Sequence, residues 1–151
     1  MNLAYLLRTA QDLAQPSAAA AAEFSAARDS LAAELNQQMS ARPDLEKLIG
    51  PDNLAMMHDN SRNFGRFMDS MFHAYEPEVL VQTALWVFRA YRAHGFQTGY
   101  WPANLDTFVE IVDAAPLLGE QGQGRQRRRP IDACRLGDGI GIGNPGFAEL
   151  G

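Results

Sequence analysis

An all-α chain, either an antiparallel helical bundle or a globin-like packing of about five helices, is predicted by three features of the sequence. Apolar residues recur every three or four positions through most of residues 1–115, the period at which side chains return to one helix face. Prolines stand where these runs begin or end, at Pro16, Pro43, Pro77, Pro102 and Pro116. No stretch shows the sustained apolar and polar alternation of a half-buried strand.

Leu3, Leu6, Leu7, Ala10 and Leu13 predict a short amphipathic first helix ending near Gln15, because Pro16 cannot continue through a helix interior. Pro16 suits the first turn of a second helix, which carries Leu31, Leu35 and Met39 and runs to about Ala41, before Pro43. Ala18 to Ala22 are strong helix formers that bury little area, so they predict a weakly anchored turn or a close helix contact. Asp44 to Ile49 adds one turn, and Asp52, after Gly50-Pro51, is the expected cap of the next helix. There Leu54, Met57, Ser61, Phe64, Met68, Met71 and Tyr75 alternate three and four apart, the seam of a helix lying nearly parallel or antiparallel to its neighbours. Pro77 opens a helix whose ALWVFRAY segment is apolar on most faces and is expected at the centre, with Gly95 as its stop. Pro102 starts the last helix, with Leu105, Phe108, Val109 and Val112 inward.

Residues 1–115 thus form one helical domain, and 116–151 a tail. From Gly119 onward glycine dominates and periodicity ends, so a disordered Gly/Arg-rich tail is expected. The break in composition also raises the expectation of a truncated or shifted reading frame, leaving the bundle short of a final helix.

With 46% hydrophobic and 21% charged residues the composition is globular. The densest apolar stretch, Val79 to Tyr91, is interrupted by Gln82, Thr83 and Arg89, so no membrane span is expected. The N-terminus lacks a basic start, and Arg8 and Asp12 break its apolar region, against a secretory signal. A lone Cys134 cannot form an internal disulfide; cytoplasmic residence is the expectation. Lys47 is the single lysine among many arginines, a bias that with the alanine richness reflects a GC-rich coding genome. The net charge is −5; the segment from Pro116 has five arginines against four carboxylates, leaving −6 on the helical part. An acidic body repels phosphate backbones, so duplex nucleic acid is not an expected partner.

Gly141-Ile142-Gly143-Asn144-Pro145-Gly146 has the letters of a dinucleotide fingerprint, but Pro145 and the lack of a following helix remove the context that motif requires. The run Arg125-Gln126-Arg127-Arg128-Arg129 reads as solvated charge, since no aromatic or amphipathic pattern is interleaved with it. The Glu-x-x-His pairs of di-iron bundles are absent, and Asp69 with His73 reads as an i,i+4 pair, so no metal or other cofactor is assigned. Cys134 falls in the tail and is a poor nucleophile candidate; His58, Asp59 and Ser61 splay around a helix and make no triad. No catalytic residue is therefore named.

Binding candidates remain. His58, Arg62 and Arg66 form a polar sector beside the apolar seam, and Gln82, Arg89 and Arg92 share one face of the next helix, where several donors could grip a carboxylate or phosphate. The plainer reading is a solvated face, or ion pairs with Asp59 and Asp69. Tyr100 and Trp101 either line a cleft or anchor the connector to the core.

The stretches HDNSRNFGRFMDSMF, PEVLVQTALWVFRAYRAHGF and YWPANLDTFVEIV, within about Asp52 to Asp113, resemble the helical, non-haem globin-like sensor domains of bacterial stressosome-type regulators. They are similar also to the helical domains that precede cobalamin-binding domains. That resemblance implies a non-enzymatic sensing or dimerising module. It carries over no cobalamin site, because no histidine here has the Asp-x-His-x-x-Gly context.

The expected function is a non-enzymatic bacterial signalling or protein-interaction domain that partners another protein or itself and can sense a small ligand. A bundle short of a helix exposes an apolar groove, which a homodimer would cover. Two unlike alternatives are a haem or tetrapyrrole binder using His58, His73 or His94, and a small helical enzyme with a cleft around His58, Arg62, Arg89 and Arg92.

Overall fold

In the computed structural model residues 2–115 are described, and they are all-helical: α1 (Leu3–Gln11), α2 (Ala18–Ser40), α3 (Leu45–Ile49), α4 (Leu54–His73), α5 (Pro77–Ala93) and α6 (Tyr100–Ala114). No strand occurs among the described residues. The expectations for residues 116–151, including disorder, the arginine run, Cys134 and the glycine fingerprint, lie outside them.

Local chemistry sets the ends. Asn2 Oδ1 accepts the Tyr5 amide at 2.9 Å and starts α1. That helix stops at Gln11 rather than Gln15, since the residue before Pro16 is pushed out of the helical region and the chain must extend to reach the next cap. Pro16 does not enter α2. Ser17 caps it instead, Oγ accepting from Ala20 N at 3.1 Å, because a side-chain oxygen satisfies an orphan amide that proline cannot. Pro102 lies in the first turn of α6 but does not start it; Tyr100 does, its amide bonded to Gln97 O at 3.0 Å.

Antiparallel register between α2 and α4 follows from their cross-contacts. Ser25 and Arg28 reach Asp69 near one end, Arg28 Nη1 lying 2.8 Å from Asp69 Oδ2. At the other end Ser40 Oγ is 3.0 Å from His58 Nε2, and Asn36 Nδ2 donates to His58 O at 3.4 Å. Gly65 is buried there, and a Cβ on it would sit 3.2 Å from Arg28 Cγ, so the small residue lets the arginine stem cross α4. Within the alanine run Ala20 and Ala21 are buried, while Ala18, Ala19 and Ala22 are exposed. Helix α6 runs parallel to α4, with Asn60 facing Tyr100 and Phe64 facing Phe108. Helix α5 runs back toward the start of α4, where His94 O, just past its end, accepts from Asn53 Nδ2 at 2.7 Å.

The main core joins α2, α4 and α6 through Phe24, Leu35, Met39, Met57, Met68, Phe72 and Phe108. A smaller cluster of Leu6, Ala10, Met71, Leu80 and Val81 fastens α1. Two sequence expectations are corrected here. Leu54, the first seam position of α4, is exposed. More important, α5 is not central: Leu80 and Val81 are its buried residues, and Trp86 is 65% exposed. Its apolar residues serve two separate clusters, Val87, Phe88 and Tyr91 against the main core and Leu80, Val81 and Leu85 against α1. The remaining sector, with Trp86, points outward.

A clasp closes the lower end of the bundle. Asp52 takes φ 60° and does not cap α4; Asn53 holds the N-cap position but spends its side-chain amide on Ile49 O and His94 O, both at 2.7 Å. Gln97 N bonds Leu48 O at 2.8 Å. Gly50 has φ 78° and ψ 172°, a region open essentially to glycine, and its missing Cβ would meet Gly95 O at 3.2 Å. Gly50→Ala should therefore cost about 1–3 kcal/mol, read as a lower urea midpoint at unchanged slope. An unchanged midpoint would show that this turn does not hold the two loops together.

Candidate functional site

The eight candidate residues fall into three separate places. His58, Arg62 and Arg66 lie on α4 along its seam with α2. His58 is half-buried and engaged by Ser40, and Arg62 pairs with Asp59 on its own helix. Arg66 is exposed, and its charge helps hold the Asp29 carboxyl below the usual range, after the hydrogen bond and charge of Arg28. Arg28 forks between Asp29 Oδ1 at 3.0 Å and Asp69 Oδ2 at 2.8 Å. The expected Asp69 and His73 pair is present, His73 Nδ1 lying 3.5 Å from the carboxylate and 2.9 Å from Asp69 O, but Asp69 has its closer ion pair across the helices with Arg28. Across this seam the Arg28 pair with Asp69 and the Ser40 contact with His58 fix helix register.

Tyr100 and Trp101 belong to the interior. Tyr100 is fully buried, and its hydroxyl accepts from Asn60 Nδ2 at 3.2 Å. Burial pushes that hydroxyl well above the ordinary tyrosine range, the Asn60 hydrogen bond pulling it partly back. Trp101 is ringed by Phe88 at 4.7 Å, Tyr100 at 5.0 Å and Tyr91 at 5.7 Å between ring centroids. These are anchors of the α5–α6 connector, the plainer of their two sequence readings.

Gln82, Arg89 and Arg92 are exposed on α5. Gln82 Nε2 donates to Glu78 Oε1 at 3.0 Å, and Arg89 Nε to the Leu85 carbonyl of its own helix at 3.3 Å. Among the described residues Asp59 and Asp69 pair with Arg62 and Arg28, not with these arginines. No hydrogen bond or ion pair among them links His58 or Arg62 to Arg89 or Arg92. The three histidines are also dispersed, His58 facing α2 while His73 and His94 are exposed at helix ends. Among the described residues no three His, Cys, Asp or Glu side chains gather as metal ligands, and no helix is long and apolar enough to cross a membrane.

What does converge is a stripe on α5 in which Trp86, expected at the centre with the rest of ALWVFRAY, joins the Gln82 and Arg89 face. Val79, Gln82, Trp86, Arg89 and Ala93 alternate three and four apart, so they share one helix face. All five are exposed, Trp86 at 65% and Val79 at 40%. The signal was legible: the two polar residues already assigned to one face bracket Trp86, which places the indole with them and away from the core.

No protein-family model matches this chain, and neither the curated proteins nor the solved structures contain a match.

Proposed function

We propose that this chain is a non-enzymatic interaction module of cytoplasmic bacterial signalling, acting through the outward face of α5 and associating with itself. The carrying observation is Trp86, 65% exposed at the middle of the outward stripe of α5. An indole left in water forgoes a large hydrophobic gain, and tryptophan and arginine are both enriched among the residues that carry interface binding energy. Arg89, one turn on, makes no ion pair among the described residues and is free for a partner's carboxylate. The resemblance of residues 52–113 to bacterial sensor domains supports the signalling half of this reading.

Native mass spectrometry of the full chain tests it. The expected spectrum is a dimer that Trp86→Asp converts to monomer while the far-ultraviolet helix signal stays unchanged. A dimer indifferent to Trp86→Asp would count against the α5 face, and a monomer at every concentration would count against self-association. Mass retained beyond the protein itself would point instead to ligand sensing.

A further inference from the structure

The α5 stripe carries its own electrostatic complement. Glu78 lies at its N-terminal end and Arg89 at its C-terminal end, both exposed, with Val79 and Trp86 between them in the same face. At about 100° per residue, Glu78, Gln82 and Arg89 fall on one flank of the line through Val79, Trp86 and Ala93. Gln82 engages Glu78 Oε1, which leaves Oε2 open to a second donor.

From this arrangement we infer that α5 pairs with α5 of a second copy in antiparallel register, about a two-fold axis lying between Gln82 and Trp86. The inference rests on the reading of α5 as the interaction face. A two-fold across the helices keeps each flank against the same flank of its partner, so position i meets j where their sum is constant. With Trp86 opposite the partner's Gln82, Val79 meets the aliphatic stem of the partner's Arg89, and Glu78 comes level with its guanidinium. The operation repeats the contact, giving two reciprocal Glu78 and Arg89 pairs around two neighbouring indoles. The indoles stand about 6 Å apart along the axis, four residues at 1.5 Å each. A parallel pairing would leave Glu78 and the partner's Arg89 eleven residues, about 16 Å, apart along the axis, so neither ion pair could form. It would also align the helix dipoles, whereas the antiparallel pair opposes them. Self-complementarity of this kind selects a second copy over an unrelated partner.

Charge reversal in the full chain tests the geometry by sedimentation equilibrium over a dilution series. Glu78→Arg alone and Arg89→Glu alone should each raise the dimer dissociation constant by about tenfold or more, since each converts two attractive contacts to repulsive ones. The double variant restores both contacts with the charges exchanged and should return close to the parent. A dimer that Trp86→Asp dissociates but whose double variant stays as weak as the singles would overturn the antiparallel register and leave the α5 face standing. A dimer that neither Trp86→Asp nor the reversals weaken would overturn both readings. So would a monomer whose Trp86 is freely quenched by acrylamide. A monomer in which Trp86 is shielded from quencher would overturn the inference in favour of residues 116–151 as the occupant of that face.

Discussion

Phe108→Ala is expected to remove about 3–5 kcal/mol of unfolding free energy, a large part of the roughly 5–15 kcal/mol that holds a domain folded. Phe108 is 1% exposed and lies where three helices meet. Its ring contacts Phe64 of α4 edge-on at 5.3 Å and Phe24 of α2 at 6.4 Å. Truncation deletes the transfer term for the ring and leaves a void that two aromatic neighbours, each held by other contacts, collapse into only partly. Phe24 is held in turn by Phe72 at 4.9 Å, so the loss spreads along α2 and α4. Urea unfolding measures it, with exposed Asp106→Ala as a control expected within about 0.5 kcal/mol of the parent. A Phe108→Ala midpoint indistinguishable from that control would show that the α2, α4 and α6 interface is not the core.

The second large effect is alkaline. Burial raises the Tyr100 hydroxyl above its ordinary value of 10.0, chiefly by desolvation of the phenolate. Above that pH the unfolded chain has given up the proton and the folded chain keeps it, so the native state binds more protons and stability falls as pH rises. The contribution is complete below pH 10 and is lost progressively as pH climbs toward the folded value. Phenolate absorbance from Tyr100 should therefore emerge together with loss of helix signal, not before it. Tyr100→Phe removes this dependence, leaving the shallower one from Tyr75 and Tyr91, whose hydroxyls burial also raises. At neutral pH the same variant strands Asn60 Nδ2 inside the core and should cost about 1–3 kcal/mol. Phenolate appearing in a fully helical protein, with Tyr100→Phe titrating like the parent, would contradict the burial of the Tyr100 hydroxyl.

Helix number and several stops were readable because their causes lie within a few residues. Pro77 must begin α5 wherever that helix goes, since it lacks an amide and restrains the residue before it. Gly95, at φ 101°, follows the end of α5 for an equally local reason. The cap competition at Pro16 and Ser17 was local too, but a hydroxyl acceptor decided it, and the helix begins at Ala18, two residues after the proline. The start of α4 was misplaced for the opposite reason. Asn53 is drawn to a carbonyl 41 residues away, a partner no neighbouring residue announces.

The binding candidates divide in the same way. Grouping Gln82 with Arg89 needs only the helical period, and both lie on the exposed face of α5. That Trp86 stands between them in solvent, while Phe88 two residues later packs on Trp101, depends on which sides of α5 the rest of the chain covers. By itself the sequence determined that this protein is helical, where most of its helices turn, and which residues can share a face, because backbone sterics and periodicity act over a few residues. Only the tertiary structure decided that α2, α4 and α6 make the core, that Arg28 answers Asp69, and that one side of α5 is left uncovered by the other described helices. Those outcomes come from contacts between residues far apart in the chain, where several arrangements of amphipathic helices satisfy the same pattern and close fit of side chains selects among them.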